Sequence, residues 1–274
     1  MKQNIIIIGK KSFIGSNLFL HLNLKYNIKL LSYENFLKKK KSFLSNYKTI
    51  INCASNKKYI KNKYLEKNDF DLKIANKIKE LNIRMIFLST RKIYKPKFNI
   101  RENEIPKPNC NYSKNKLITE KKLKYLLKKK ILVLRISNII GLTKNSKNKL
   151  HKTFIDIFFF NIKKGFVIKN DRTYKDFLSI KKFCEILDQL IKKNISGTYN
   201  VSLGKKVYLS KILKWLNYYN VKNFKTIKLK KPFNNICFTL NNDKLMNQIK
   251  IKNRLTDLEN DCKIISKKFF LGGR

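Results

Sequence analysis

The stretch Ile5-Ile6-Ile7-Ile8-Gly9-Lys10-Lys11-Ser12-Phe13-Ile14-Gly15 narrows the choice of fold more than any other part of the chain. Four consecutive β-branched residues cannot alternate between a wet and a dry face. They read as a strand buried on both sides, as in a parallel sheet covered by helices. Gly9 and Gly15 bracket a turn, and the amphipathic run from Ser16 to Lys25 reads as the helix that follows. A strand, a glycine turn and a helix start together make an anion site. The first N–H groups of the helix lack partners, its positive dipole end faces the turn, and glycine lets the backbone come close to a pyrophosphate. The same pattern also fits the buried edge of an unrelated α/β domain, so the segments that follow must decide.

With 274 residues the chain can bury one large core, or one core and a small lobe, and no shift in composition divides it. No apolar run reaches the length of about 18 residues that a membrane span needs. Met1 to Asn4 lead straight into the first strand without the order of a signal peptide, so a cytoplasmic location is expected. Cys53, Cys110, Cys184, Cys237 and Cys262 are odd in number and dispersed, and the histidines are His21 and His151 alone. That distribution favours reduced thiols over a disulfide framework or a metal site. The net charge of +47 comes from 64 basic residues of which seven are arginine. Lysine is accompanied by abundant Asn, Ile, Phe and Tyr, the set that AT-rich codons favour, which points to a compositional cause. The field still attracts anions, including sugar nucleotides, RNA and acidic membrane surfaces. The densest runs, Lys38 to Lys41 and Lys121 to Lys130, read as solvated coats. Base-reading surfaces use arginine forks and exposed aromatics, so no specific nucleic-acid partner is expected.

Further along, Ile28 to Ser32 reads as a second strand. In a dinucleotide-binding fold the end of that strand meets the adenosine ribose, and an acid there favours a free 2′-hydroxyl. Here the place falls on Ser32, followed by Tyr33 and Glu34, while Lys10 and Lys11 suit a 2′-phosphate; the expectation leans slightly to NADP over NAD. Lys48 to Ser55 is another buried strand ending in small residues, and the short interval before it predicts an abbreviated third strand and helix. Phe70, Ile74, Ile78 and Leu81 have helical spacing and lead into the apolar strand Met85 to Leu88, then Ser89-Thr90-Arg91-Lys92-Ile93-Tyr94. Tyr-x-x-x-Lys occurs four times, at Tyr59, Tyr112, Tyr125 and Tyr218, which is little more than chance in so lysine-rich a chain. Only Tyr112 lies one loop beyond a strand ending in Ser-Thr, at the start of a helix, with the strand Ile131 to Leu134 behind it. Residues i and i+4 share a helix face, so Lys116 stands beside Tyr112 and its ammonium favours the phenolate. A tyrosine brought from about 10 toward neutrality can exchange a proton with a substrate oxygen.

In this order the segments resemble the extended short-chain dehydrogenase/reductases, in their NAD-dependent epimerase/dehydratase group. Gly9-x-x-Ser12-x-x-Gly15 is similar to the family's glycine motif, with Ser12 where the middle glycine usually sits. Asn52-Cys53-Ala54 resembles the Asn-x-Ala segment whose small side chains leave room for the cofactor. Thr90, four residues before Tyr94, takes the place of the family's catalytic hydroxyl. Leu134-Arg135-x-x-Asn138-x-x-Gly141 resembles the segment whose Asn lies in the substrate pocket. Lys175-Asp176-Phe177-x-x-Ile180 resembles Arg-Asp-Phe-x-x-Val, with Lys175 replacing a diphosphate-binding arginine. Gly197 to Val201 is similar to the family's last strand, and Tyr208 to Tyr218, Asp243 to Leu245 and Leu255 to Phe269 to its later helices.

The resemblance implies an α/β fold, a Rossmann-type doubly wound parallel sheet with a small C-terminal substrate-binding lobe. Residues 1–150 would hold NAD or NADP, and 151–274 would complete the sheet and close over a nucleotide-diphosphate sugar. It assigns Thr90, Tyr112 and Lys116 to catalysis, Gly9, Ser12, Phe13, Ile14, Gly15, Ser32, Ala54 and Lys116 to the cofactor, and Asn138 and Lys175 to substrate, with no metal. A homodimer is left open. Arg91-Lys92 stand where nucleotide-sugar 4,6-dehydratases carry Asp-Glu, which argues against a dehydratase. A nucleotide-sugar epimerase and a ketosugar reductase like the dTDP-4-dehydrorhamnose reductases both remain, although those reductases usually carry Asp where Arg91 stands. The alternative is an RNA-binding or catalytically idle protein on the same fold.

Overall fold

The computed structural model describes residues 2–142, 154–169, 172–221, 225–228 and 237–272. The first half runs β1 (Asn4–Ile8), α1 (Phe13–Leu22), β2 (Asn27–Leu31), α2 (Tyr33–Leu37), α3 (Lys41–Leu44), β3 (Thr49–Asn52), α4 (Lys57–Lys61), α5 (Phe70–Ile78), β4 (Arg84–Thr90), α6 (Asn111–Leu127) and β5 (Ile131–Ile136). The second runs β6 (Asn138–Ile140), α7 (Phe154–Lys163), β7 (Phe166–Lys169), β8 (Tyr174–Lys175), β9 (Phe177–Ser179), α8 (Ile180–Lys193), β10 (Gly197–Val201), β11 (Val207–Tyr208), α9 (Leu209–Leu216), β12 (Lys225–Lys228), α10 (Asp243–Met246) and α11 (Leu255–Phe270).

Six parallel strands form the central sheet in the order β10-β5-β4-β3-β1-β2. The four isoleucines of β1 are each fully buried, and they divide between two cores. Ile5 and Ile7 face Leu18 and Leu22 of α1 with Ile186 and Leu187 of α8. Ile6 and Ile8 face Phe36 of α2, Leu72 and Ile74 of α5 and Leu123 of α6. The unbroken apolar run is therefore the consequence of helices on both faces, and the doubly wound α/β expectation is met.

The abbreviated third strand is absent altogether among the described residues: β2 is an edge, and the interval to β3 holds α2 and α3. Tyr33, the first residue of α2, stacks on Phe70 of α5, with ring centroids 3.5 Å apart. Helix α1 also starts earlier than the amphipathic run suggests, at Phe13, because Ser12 caps it. A third core joins Phe158 and Phe159 of α7, Trp215 and Leu216 of α9, and Leu258 and Cys262 of α11. Around it lie three two-stranded ladders, β11 with β8, β12 with β7, and β6 with β9, while β10 returns to the main sheet beside β5. The C-terminal part thus both completes the sheet and builds the third core. The expected boundary at 150 and 151 lies outside the described residues, as do His151, Gly273 and Arg274. Lys38, Lys40, Lys41, Lys121, Lys124, Lys128 and Lys129 are exposed, as solvated coats should be. No described helix is long and apolar enough to cross a membrane.

Candidate active site

Gly9 ends β1 with φ +111°, a conformation that side chains rarely adopt, and a Cβ there would lie 2.9 Å from the Ala54 nitrogen and the Cys53 carbonyl carbon. At Gly15 a Cβ would meet the Gly9 oxygen at 2.6 Å and Ser12 Oγ at 2.7 Å. Both glycines are thus required by close approach of backbone to backbone. Ser12 Oγ accepts from the Gly15 N–H at 3.0 Å, which fastens the first turn of α1. The N–H groups of Phe13 and Ile14 are the ones that a helix start leaves for an anion. A tight turn that brings open N–H groups to the end of β1 suits a dinucleotide pyrophosphate.

Ser32 lies at the end of β2, as expected, and its hydroxyl caps α2 by accepting from the Asn35 N–H at 3.1 Å. The hydroxyl proton remains available to a ribose oxygen. Glu34 is exposed in the first turn of α2. Ala54 is tied to Asn52 in both directions, its N–H donating to Asn52 Oδ1 at 3.0 Å and its carbonyl accepting from Asn52 Nδ2 at 3.1 Å.

Asn52 then connects the turn to α6 through Asp71. Its Nδ2 also donates to Asp71 Oδ1 at 2.7 Å, and Lys116 Nζ donates to Asp71 Oδ2 at 3.3 Å. The Lys116 and Asp71 side chains are 9% and 7% exposed, and the ammonium lies 4.4 Å from the centroid of the Phe87 ring. Burial by itself would draw the Lys116 proton away, but Asp71, with Tyr112 and Asp69, outweighs it and holds the ammonium above its ordinary range. Tyr112 is half-buried one helical turn earlier, with Lys92 Nζ 5.9 Å from its ring centroid. Among the other tyrosines of the repeated motif, Tyr125 is 86% and Tyr218 59% exposed, while Tyr59 is sealed against Thr119 Oγ1 at 2.7 Å. Asp71 escaped the motif reading, which named Asn52 only as part of a segment that leaves room for the cofactor.

Thr90 ends β4 in a buried position, its Oγ1 accepting from the Lys92 N–H at 3.3 Å. Its neighbour Ser89 faces away and donates to Glu120 at 3.1 Å. Arg135 reaches the same carboxylate with Nη2 at 2.6 Å and Nε at 3.1 Å, and Nη1 donates to the Tyr94 hydroxyl and the Glu102 carbonyl. This cluster locks α6 against β4 and β5. Asn138 Nδ2 donates to the Asp176 carbonyl at 3.2 Å, and so ties β6 to the segment at β9. Lys175 lies half-buried on β8, and burial, with Arg91 and Lys92 nearby, lowers its pKa. Asp176 is buried and accepts from the backbone N–H groups of Leu203, Gly204 and Leu240.

A parallel doubly wound sheet with a glycine turn at its first strand, and a Tyr-x-x-x-Lys helix meeting the ends of β3 and β4, defines a nucleotide-cofactor enzyme of the extended short-chain dehydrogenase/reductase type. The model of the NAD dependent epimerase/dehydratase family matches residues 38–202, more than half of the chain, and the chain belongs to that family. No curated protein matches the sequence. Among solved structures, the chain is similar to UDP-N-acetylglucosamine 4-epimerase from Methanobrevibacter ruminantium, at TM-score 0.82 and 19% identity, covering 100% of both chains. It is similar to UDP-glucose 4-epimerase from Thermotoga maritima at TM-score 0.75 and 16% identity, covering 99% of this chain and 100% of that one. The same figures describe its likeness to dTDP-4-dehydrorhamnose reductase from Bacillus anthracis. At these identities the likeness is one of fold.

Proposed function

We propose that the protein is an NAD(P)-dependent nucleotide-sugar epimerase or ketosugar reductase whose proton transfer is carried by Tyr112, Lys116 and Thr90. The observation that carries this reading is the buried Lys116 ammonium, held by Asp71, which Asn52 in turn fastens to the end of β3, where a Cβ at Gly9 would meet Cys53 and Ala54. One turn before it stands Tyr112. The T. maritima and B. anthracis structures, obtained with UDP-glucose and with NADP, support the ligand classes. Arg91 and Lys92 follow Thr90 without the acid-base pair of a water elimination, and the dehydratases are set aside on that ground.

The Phe13 and Ile14 N–H groups hold the pyrophosphate, Ala54 leaves space beside it, and Ser32 donates to the adenosine ribose. Lys10 and Lys11 favour an added 2′-phosphate, and we lean to NADP. A bound nicotinamide gives or takes hydride at the sugar carbon. Thr90 donates a hydrogen bond to the oxygen on that carbon, and Tyr112 moves the proton to or from it. Lys116 stands one helical turn from Tyr112, and Asp71 keeps the lysine's charge in place. Asn138 and Lys175 line the substrate side.

Two measurements test this. Native mass spectrometry separates the two activities, since retained NAD(H) indicates an epimerase and an empty site that fills with NADPH a reductase. Tyr112→Phe is expected to leave cofactor affinity nearly unchanged and to reduce turnover of nucleotide sugars about 10²-fold to 10⁴-fold. Tyr125→Phe, on the same helix, is expected to change neither. The opposite pattern would remove the assignment.

A further inference from the structure

Three cations meet beside Thr90 and Tyr112 with no acid among them. Arg91 is partly buried, its guanidinium lies 3.8 Å from the centroid of the fully buried Phe238 ring, and its Nε is buried without a hydrogen-bond partner. Burial draws the guanidinium down to about 10, against the opposing effect of the Cys110 thiol. Lys175 is affected by the like charges of Arg91 and Lys92, which places all three in one neighbourhood. The deeply buried cations elsewhere are answered by oxygen. Lys116 has Asp71, Arg135 has Glu120, and Arg84 donates both Nη groups to the carbonyls of Leu190, Ile191 and Ile195, although its Nε, like that of Arg91, has no partner; Arg91 differs in that no acceptor meets any of its nitrogens among the described residues. Among the described residues no acidic side chain forms an ion pair with Arg91 or Lys175. A desolvated guanidinium without an acceptor is costly unless a ligand supplies one.

We propose that Arg91, supported by Lys92 and Lys175, binds a carboxylate carried by the sugar, so that the substrate is an acidic nucleotide sugar. The proposal rests on the nucleotide-sugar reading of Tyr112 and Thr90. In that reading Thr90 holds the oxygen at the reacting carbon, and Arg91 is the next residue, so its fork meets a substituent of the ring near that carbon. The diphosphate hangs from the anomeric carbon, on the side of the ring joined to the nucleotide. A guanidinium held over an aromatic ring keeps its planar N–H fork, which matches the two oxygens of a carboxylate.

Calorimetric titration of the cofactor-loaded protein with UDP, UDP-glucose and UDP-glucuronic acid tests the proposal. The wild type is expected to bind UDP-glucuronic acid at least about tenfold more tightly than UDP-glucose, the range of a charge-assisted hydrogen bond. Arg91→Met should bring the two sugars to parity while leaving UDP and UDP-glucose within about twofold of the wild type, and Arg91→Lys should retain part of the preference. Equal wild-type affinity for the two sugars would overturn the proposal, and because that comparison needs no variant, poor folding of Arg91→Met cannot obscure it. An equal loss for UDP, UDP-glucose and UDP-glucuronic acid in Arg91→Met would also overturn it, by assigning the cations to the diphosphate. Failure of all three to bind the wild type would remove the nucleotide-sugar reading itself.

Discussion

Asp71 and Lys116 stand 3.3 Å apart with little access to water, and neither charge can lose the other cheaply. Asp71→Leu leaves a buried ammonium without its counter-ion and is expected to cost about 3–5 kcal/mol. Lys116→Met in that background should recover most of the loss, because no buried charge then remains unpaired and Met matches Lys in volume. Urea unfolding of the two single variants and the double variant checks this, and additive losses would show that the pair is not coupled. The Lys116 half of this arrangement was legible, because Tyr-x-x-x-Lys in the right context names it. Its partner left a fainter signal. Asp71 shares a helical face with Ile74, Ala75 and Ile78, and an acid on an apolar stripe implies a buried partner, but only the fold shows which cation supplies it. Ser12 and Ser32 carry the opposite lesson. Their positions were predicted, yet both hydroxyls also cap helices, which a motif does not reveal.

At the scale of elements, Asp176 is the pin that holds the turns after β10 and before α10 against β9. Three backbone N–H groups reach its carboxyl, while burial pushes its pKa up to about 7. A raised carboxyl pKa means that the folded protein keeps a proton that the unfolded chain has released. The contribution of this group to stability is complete below about pH 4, shrinks as pH rises, and is lost above about 7. The stability of the wild type relative to Asp176→Asn should therefore fall between pH 5 and pH 8, read from denaturation midpoints at each pH. A difference that stayed flat over that interval would mean that the N–H groups prevail over burial and hold the folded pKa at or below the unfolded value. The main sheet was readable at this scale because each buried strand is a short apolar run between turn signals, and the lost third strand showed as a short interval. The lobe was not. Its strands Tyr174–Lys175 and Val207–Tyr208 are two residues each, too short to carry a period, and Arg135 could not be known to lock α6 before α6 and β5 were side by side.

For the whole molecule, the charge of +47 sets a field that any anionic ligand crosses. Raising ionic strength from about 0.01 M to about 1 M shortens the screening length from about 30 Å to about 3 Å. NADPH carries one phosphate more than NADH, so its affinity should fall by the larger factor, as fluorescence titration will show; equal losses would mean that Lys10 and Lys11 do not meet the extra phosphate. The family match begins at residue 38, beyond the glycine turn, so the claim that this turn is the cofactor site rests on its geometry and is the one on which the account most depends. Calorimetric titration of NADH and NADPH into the wild type and into Gly9→Val, with folding of both confirmed by circular dichroism, tests it most directly. One-to-one binding to the wild type and an affinity lower by about a hundredfold or more, about 2.7 kcal/mol, in the variant is the predicted result. Undiminished affinity in a folded Gly9→Val protein, or no binding to the wild type, would contradict it.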